Sequence, residues 1–128
     1  PYRSYPSGVT ASATKRHEYL RWASERERYV IEDDFESEFS VFVKPAETLF
    51  ALSEGVNVIY LNTFSKTISP SLRIGYMVLP KRLAEVFSQR LGFYSCTVPV
   101  FEQFVLAEFI NSGELERYIN RRRRKMRK

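Results

Sequence analysis

The spacing of apolar and polar residues changes several times along this chain, and each change marks an element. Over 12–28, Tyr19, Leu20, Trp22 and Ala23 fall at i, i+1, i+3 and i+4 among Lys15, Arg16, Glu18, Arg21, Glu25 and Arg26, the stripe of an amphipathic helix. Tyr29-Val30-Ile31 is a short continuous apolar run closed by Glu32-Asp33-Asp34, which predicts a buried strand with acids at its carboxyl end. From 35 to 57 no period holds, and Pro45 and Gly55 punctuate an irregular connection with a short strand expected at 39–43. Val58-Ile59-Tyr60-Leu61 and the run from Ile74 to Leu79 predict two further strands. After Pro80 the spacing turns helical. Leu83, Val86, Phe87 and Leu91 stripe one helix ending near Gly92. Phe101, Phe104, Val105 and Phe109 stripe a second, with Thr97 as candidate cap and Pro99 in its first turn. Leu115, Tyr118, Ile119 and Met126 stripe a third. The phenylalanines are assigned to core or to a subunit contact. Only 1–8, rich in turn formers, lacks a period at the start.

Helix, buried strand, acidic strand end is the rhythm of an α/β protein, in which functional groups collect beyond the carboxyl ends of strands. A length of 128 residues suits one domain, and 44% apolar with 27% charged residues excludes a disordered chain. The chain starts at Pro1 without methionine and stops inside a basic run, so it is expected to be part of a longer protein. The net charge of +5 suggests nucleic acid, but its distribution does not. The last eight residues hold seven of the twenty Lys and Arg, leaving thirteen basic against fifteen acidic residues, a net −2. The tail reads as the solvated face of a helix, without the aromatic interleaving of a nucleic-acid site. One cysteine, Cys96, excludes an internal disulfide and fits a reducing, cytoplasmic location. No apolar run spans a bilayer, so no membrane contact is expected, and His17 has no second histidine with which to build a metal site.

Chemistry concentrates in Thr63-Phe64-Ser65-Lys66-Thr67-Ile68-Ser69-Pro70-Ser71-Leu72-Arg73-Ile74-Gly75, between the second and third strands. Five hydroxyls and an arginine suit a phosphate, the arginine as a fixed fork of donors. A lysine among small polar residues suits a Schiff-base amine. An acid at the end of the preceding strand, Asp33 or Asp34, reaches the same crevice if the two strands share a direction. Together these groups suit a phosphorylated ligand that has a carbonyl carbon and a basic nitrogen at its far end. Pyridoxal 5'-phosphate has this shape. A strand ending in acids also suits Mg²⁺ in a nucleotidase, but the lysine loop has no place there and no Gly-x-x-x-x-Gly-Lys-Ser/Thr loop is present.

Ile31-Glu32-Asp33-Asp34-Phe35-Glu36-Ser37-Glu38-Phe39, then Thr63-Phe64-Ser65-Lys66 and Pro70-Ser71-Leu72-Arg73-Ile74-Gly75-Tyr76, resemble the aminotransferase domain of MocR-type regulators. These are GntR-family transcription factors with a fold-type-I, class I/II aminotransferase-like domain. Tyr5-Pro6-Ser7-Gly8 and the stretch 112–128 extend the resemblance to essentially the whole chain. It implies part of a fold-type-I large domain, a three-layer α/β/α arrangement, over 1–92, and a helical segment leading toward the small domain over 93–128. It also implies that Lys66 forms the internal aldimine, Asp33 pairs with the pyridine nitrogen and Arg73 binds the phosphate, with Thr63 and Ser65 helping. Tyr5 stands where ordinary aminotransferases carry the Asn of an Asn-Pro-Thr/Ser-Gly motif. Phe35 replaces a tyrosine whose phenol bonds the ring oxygen, so the aldimine's acidity is expected to shift.

Two functions share this site. One is an effector sensor that binds an amino compound at the cofactor and relays that state to DNA through a domain not present here. The other is a working aminotransferase, with Lys66 also moving the α-proton as general base. A plain α/β interaction domain is the reading without a cofactor. The resemblance further implies a homodimer in the full-length protein, and weak cofactor binding without transamination by this segment alone.

Overall fold

Residues 6–35 and 47–126 are described by a computed structural model. Helix α1, Ala13–Glu25, opens where Ser12 Oγ accepts the N–H of Lys15 at 3.3 Å. Ala23 is its buried apolar contact. Arg16 is buried too: its Nε donates to the carbonyl of Ala11 and its Nη1 to that of Glu47, tying the first turn to the segment that enters the next helix. Strand β1, Val30–Asp33, then leads through 34–48 to α2, Leu49–Leu52, and to strand β2, Val58–Thr63. A one-turn helix α3, Phe64–Thr67, and a polar loop return the chain to strand β3, Gly75–Val78. Helices α4 (Lys81–Leu91), α5 (Val100–Asn111) and α6 (Glu114–Met126) follow. Gly113, at φ +73°, takes the left-handed turn between the last two.

The sheet has the order β1-β2-β3. β1 and β2 run parallel, from Val30 opposite Val58 to Asp33 opposite Leu61. β3 is antiparallel to β2, from Tyr60 opposite Val78 to Thr63 opposite Gly75. The carboxyl ends of β1 and β2 and the start of β3 therefore lie at one end of the sheet. No helix of the described residues is long and apolar enough to cross a membrane.

The α/β class and most elements follow the spacing of apolar residues, with four differences. β1 runs on into the acids as far as Asp33 and is not the buried strand expected, since Glu32 alone is buried and Ile31 is 64% exposed; β2 runs as far as Thr63. The connection after β1 contains α2, whose four residues are too few to show a helical period. It is held instead by Glu32, which is 1% exposed and accepts the N–H groups of Leu49 and Phe50 at 2.8 and 3.0 Å. The strand expected at 39–43 lies outside the described residues. Thr97 does not cap α5; Pro99 is the N-cap residue, with no side-chain cap bond, and Gln103 Nε2 closes the turn by donating to the carbonyl of Val98 at 2.9 Å.

The fourth difference concerns the phenylalanines. Buried apolar residues among those described are Ala23, Leu49, Val58 and Ile74, all around the sheet and its flanking helices. Phe101 and Phe104 are 78% and 72% exposed, and α4 and α5 bury no residue. These aromatic side chains are not core within this chain.

Glu32 carries a direct test. Glu32→Ala leaves one buried and one partly buried N–H donor without acceptors, which costs about 2–3 kcal/mol. The urea midpoint of the full-length protein is expected to fall accordingly. An unchanged midpoint would show that water replaces the carboxylate at no cost.

Candidate functional site

Three consecutive acids close β1, and strand alternation gives them different tasks. Glu32 and Asp34 project from the covered face, and Ile31 and Asp33 from the other, where Ile31 is 64% exposed. Glu32 caps α2. Asp34, 4% exposed, accepts the Tyr60 hydroxyl at 3.0 Å through Oδ2. Asp33 is the acid exposed to solvent.

The second strand delivers Lys66. Thr63 keeps extended backbone angles (φ −141°, ψ 139°) and its Oγ1 accepts the N–H of Ser65 at 3.2 Å, which starts α3. Lys66 sits in the last turn of that helix and is exposed. The loop folds back on α3 through its own hydroxyls. Thr63 Oγ1 donates to the carbonyl of Ile74 at 3.1 Å, and the N–H of Phe64 donates to the same carbonyl at 2.9 Å. Ser65 Oγ donates to the carbonyl of Leu72 at 2.7 Å, and Thr67 Oγ1 to that of Thr63 at 3.3 Å. Arg73 Nη1 makes a long contact with Ser65 Oγ at 3.5 Å, so the guanidinium is held beside the first turn of α3. Gly75 begins β3 so close to β2 that an added Cβ would lie 3.3 Å from the carbonyl of Asn62.

The parallel register thus brings the acid-bearing end of β1 beside the lysine-bearing end of β2, and the returning loop sets Arg73 at the same end. Asp33, Lys66 and Arg73 are all exposed there. Thr63 and Ser65 lie between them, but each hydroxyl has one proton and gives it to a backbone carbonyl. Phe35 follows β1 half-buried and has no hydroxyl to offer. Tyr5 lies outside the described residues.

One group of residues was not expected from the sequence. Tyr60, whose hydroxyl donates to Asp34, accepts from Asn62 Nδ2 at 2.8 Å, and Asn62 Oδ1 accepts the N–H of Thr63 at 2.6 Å. Burial pushes the Tyr60 phenol well above its ordinary range, and the Asp34 charge adds in the same direction against the Asn62 bond. Its ring packs at 6.2 Å from those of Phe50 and Tyr76. The available signal was the polar Asn62 two places after Tyr60, at the end of an apolar run. A second contact comes from far along the chain: the Tyr118 hydroxyl in α6 donates to the carbonyl of Ile68 at 3.1 Å, two residues beyond Lys66.

The chain is 39% identical over its whole length to an uncharacterized HTH-type transcriptional regulator, YdeL, of Bacillus subtilis, and spans 28% of that protein. It is 32% identical over 124 residues to a probable rhizopine catabolism regulatory protein, MocR, of Rhizobium meliloti, covering 97% of this chain and 25% of that one. The chain therefore spans about a quarter of the length of these curated relatives. Among solved structures, a kynurenine aminotransferase of Pyrococcus horikoshii in complex with PMP matches 97% of this chain, and 31% of its own, with a TM-score of 0.80 and 35% identity. The aminotransferase class I and II family matches residues 4–128. With its α/β fold and the lysine and acid at one end of a parallel strand pair, this chain belongs to the aminotransferase class I and II family.

Proposed function

We propose that this chain is the pyridoxal 5'-phosphate-binding part of a MocR-type transcriptional regulator that senses an amino compound. The observation that carries the reading is the β1-β2-β3 register, which sets an amine, a carboxylate and a guanidinium at one end of the sheet. That donor set fits the cofactor: Lys66 for its carbonyl carbon, Asp33 for its ring nitrogen and Arg73 for its phosphate. When bound, pyridoxal phosphate supplies an electrophilic carbon that an amine can attack and a ring that withdraws electrons from it.

The protein's own residues do the rest. Asp33 supplies a fixed negative charge that holds a proton on a nitrogen base within reach. Arg73 presents parallel N–H donors to phosphate oxygens, and its neighbour Ser65 limits where the guanidinium can point. Thr63 and Ser65 position the loop rather than donate to the phosphate, because their protons are held by the carbonyls of Ile74 and Leu72. Lys66 would provide the amine that holds the cofactor's carbonyl carbon and, when not so engaged, would serve as a local base. Phe35 provides no donor, so one hydrogen bond to the ring is missing in this chain.

Likeness over the full chain to HTH-type regulators supports the sensory reading, in which the response passes to DNA through a part of the protein outside this chain. A working aminotransferase is the second reading, favoured by the likeness to kynurenine aminotransferase. In either case we expect a cytoplasmic homodimer. The two readings part in one experiment on the full-length protein loaded with pyridoxal phosphate. A sensor is expected to change its DNA affinity at least fivefold when an active amino compound from a panel is added, without sustained release of oxo acid. Sustained oxo-acid release with unchanged DNA affinity would establish the enzyme instead.

A further inference from the structure

We infer that Tyr60 and Asn62 are positioning residues for Lys66, acting through a partly buried hydrogen-bond chain that joins the end of β1 to the residue that caps α3. The chain runs from Asp34 Oδ2 to the Tyr60 hydroxyl (3.0 Å), from that oxygen to Asn62 Nδ2 (2.8 Å), and from Asn62 Oδ1 to the N–H of Thr63 (2.6 Å). It lies on the covered face of the sheet, opposite Asp33, and Asp34 and Asn62 are 4% and 5% exposed.

Its two ends matter. At one end Asp34 is bonded to Asp33 by a peptide, and its own N–H donates to the carbonyl of Leu61 at 2.9 Å. At the other, Thr63 starts the single turn that carries Lys66 three residues later. The backbone ladder pairs Asp33 with Leu61, and the relay adds a side-chain tie from the residue after Asp33 to the residue that caps the lysine turn. The ring of Tyr60 is wedged by Phe50 and Tyr76, and Phe64 of α3 packs on Tyr76 at 5.1 Å, so the same aromatic group supports both the relay and the lysine turn. Each link is directional: the phenol has one proton and gives it to Asp34, which leaves its lone pair for the Asn62 amide, and this orients the amide oxygen toward Thr63. A displacement of about 1 Å at a reacting group is enough to cost orders of magnitude in reactivity, so a device that fixes the spacing of Asp33 and Lys66 acts on the site without touching a ligand.

The geometry stands by itself, whereas its consequence for the cofactor rests on the function proposed above. The test therefore has a cofactor-free arm and a loaded arm, both in the full-length protein. Tyr60→Phe removes the hydroxyl and keeps the ring. In the cofactor-free protein, amide hydrogen exchange over 63–67 is expected to quicken at least tenfold while α1 is unchanged. In the loaded protein, pyridoxal phosphate affinity is expected to fall about tenfold, with a shift in the pH titration of the visible absorbance of the bound cofactor. Asn62→Ala, which breaks the relay one link later, is expected to reproduce both effects if Tyr60→Phe folds poorly. A lowered melting temperature with unchanged exchange over 63–67 would overturn the inference, as would an unchanged affinity and titration in the loaded variant. A wild-type protein that takes up no pyridoxal phosphate would overturn the proposed function, and the exchange arm would still decide the relay.

Discussion

Replacing Lys66 with alanine in the full-length protein is expected to abolish all borohydride-trappable pyridoxal phosphate and the visible absorbance that accompanies it. Covalent capture needs an amine at that position, and an alanine methyl cannot form the bond. The rest of the site should survive. Lys66 is exposed on a turn held by the bonds of Thr63, Ser65 and Thr67, none of which uses its side chain. The turn should therefore be retained, with a modest change in unfolding temperature, while affinity for the cofactor falls at least a hundredfold, about 2.7 kcal/mol. Absorbance titration and reduction by borohydride check the first expectation, and calorimetry the second. Persistent trapping in Lys66→Ala would assign the covalent bond to another lysine.

Asp33→Ala and Asp34→Ala are expected to fail in different ways. Asp33 projects into solvent at the site, so losing it should weaken cofactor binding by about ten- to a hundredfold, the worth of a charged hydrogen bond, with little change in folding. Asp34 is buried and takes the Tyr60 proton, so losing it leaves a half-buried phenol without its acceptor and should cost about 1–2 kcal/mol of stability. Its effect on the cofactor should be smaller, severalfold, and transmitted only through the relay to Thr63. Parallel binding and unfolding curves for the two variants check this. The reverse order, with Asp34→Ala the weaker binder and Asp33→Ala the less stable protein, would exchange the two roles.

Much of this arrangement was legible in the residues, and the gaps have physical causes. The apolar stripe of α1 and the runs before Glu32 and Asn62 marked elements by their spacing alone: Ala23 and Val58 are buried, whereas Tyr19, Trp22 and Ile31 are exposed. The run Glu32-Asp33-Asp34 marked a strand end but could not say which acid was free. A four-residue strand alternates in one of two phases, and the phase depends on which face α2 covers. That helix was itself invisible, because its N-terminus is held by Glu32, seventeen positions earlier. The hydroxyls around Lys66 looked like phosphate donors. The protons of Thr63 and Ser65 go to the carbonyls of Ile74 and Leu72, partners set by the antiparallel return of β3, and that of Thr67 goes to the carbonyl of Thr63. The phenylalanines of α5 have helical spacing, and spacing alone does not tell core from a face that this chain leaves uncovered.

The central claim is that Lys66 and Asp33 hold opposite ends of one cofactor. A crystal structure of the full-length protein grown with pyridoxal phosphate tests it most directly. The account predicts continuous density from Lys66 Nζ into the cofactor and the Asp33 carboxylate within about 3 Å of its ring nitrogen. Cofactor density joined to a different lysine, or a ring nitrogen facing Asp34 or solvent, would contradict it.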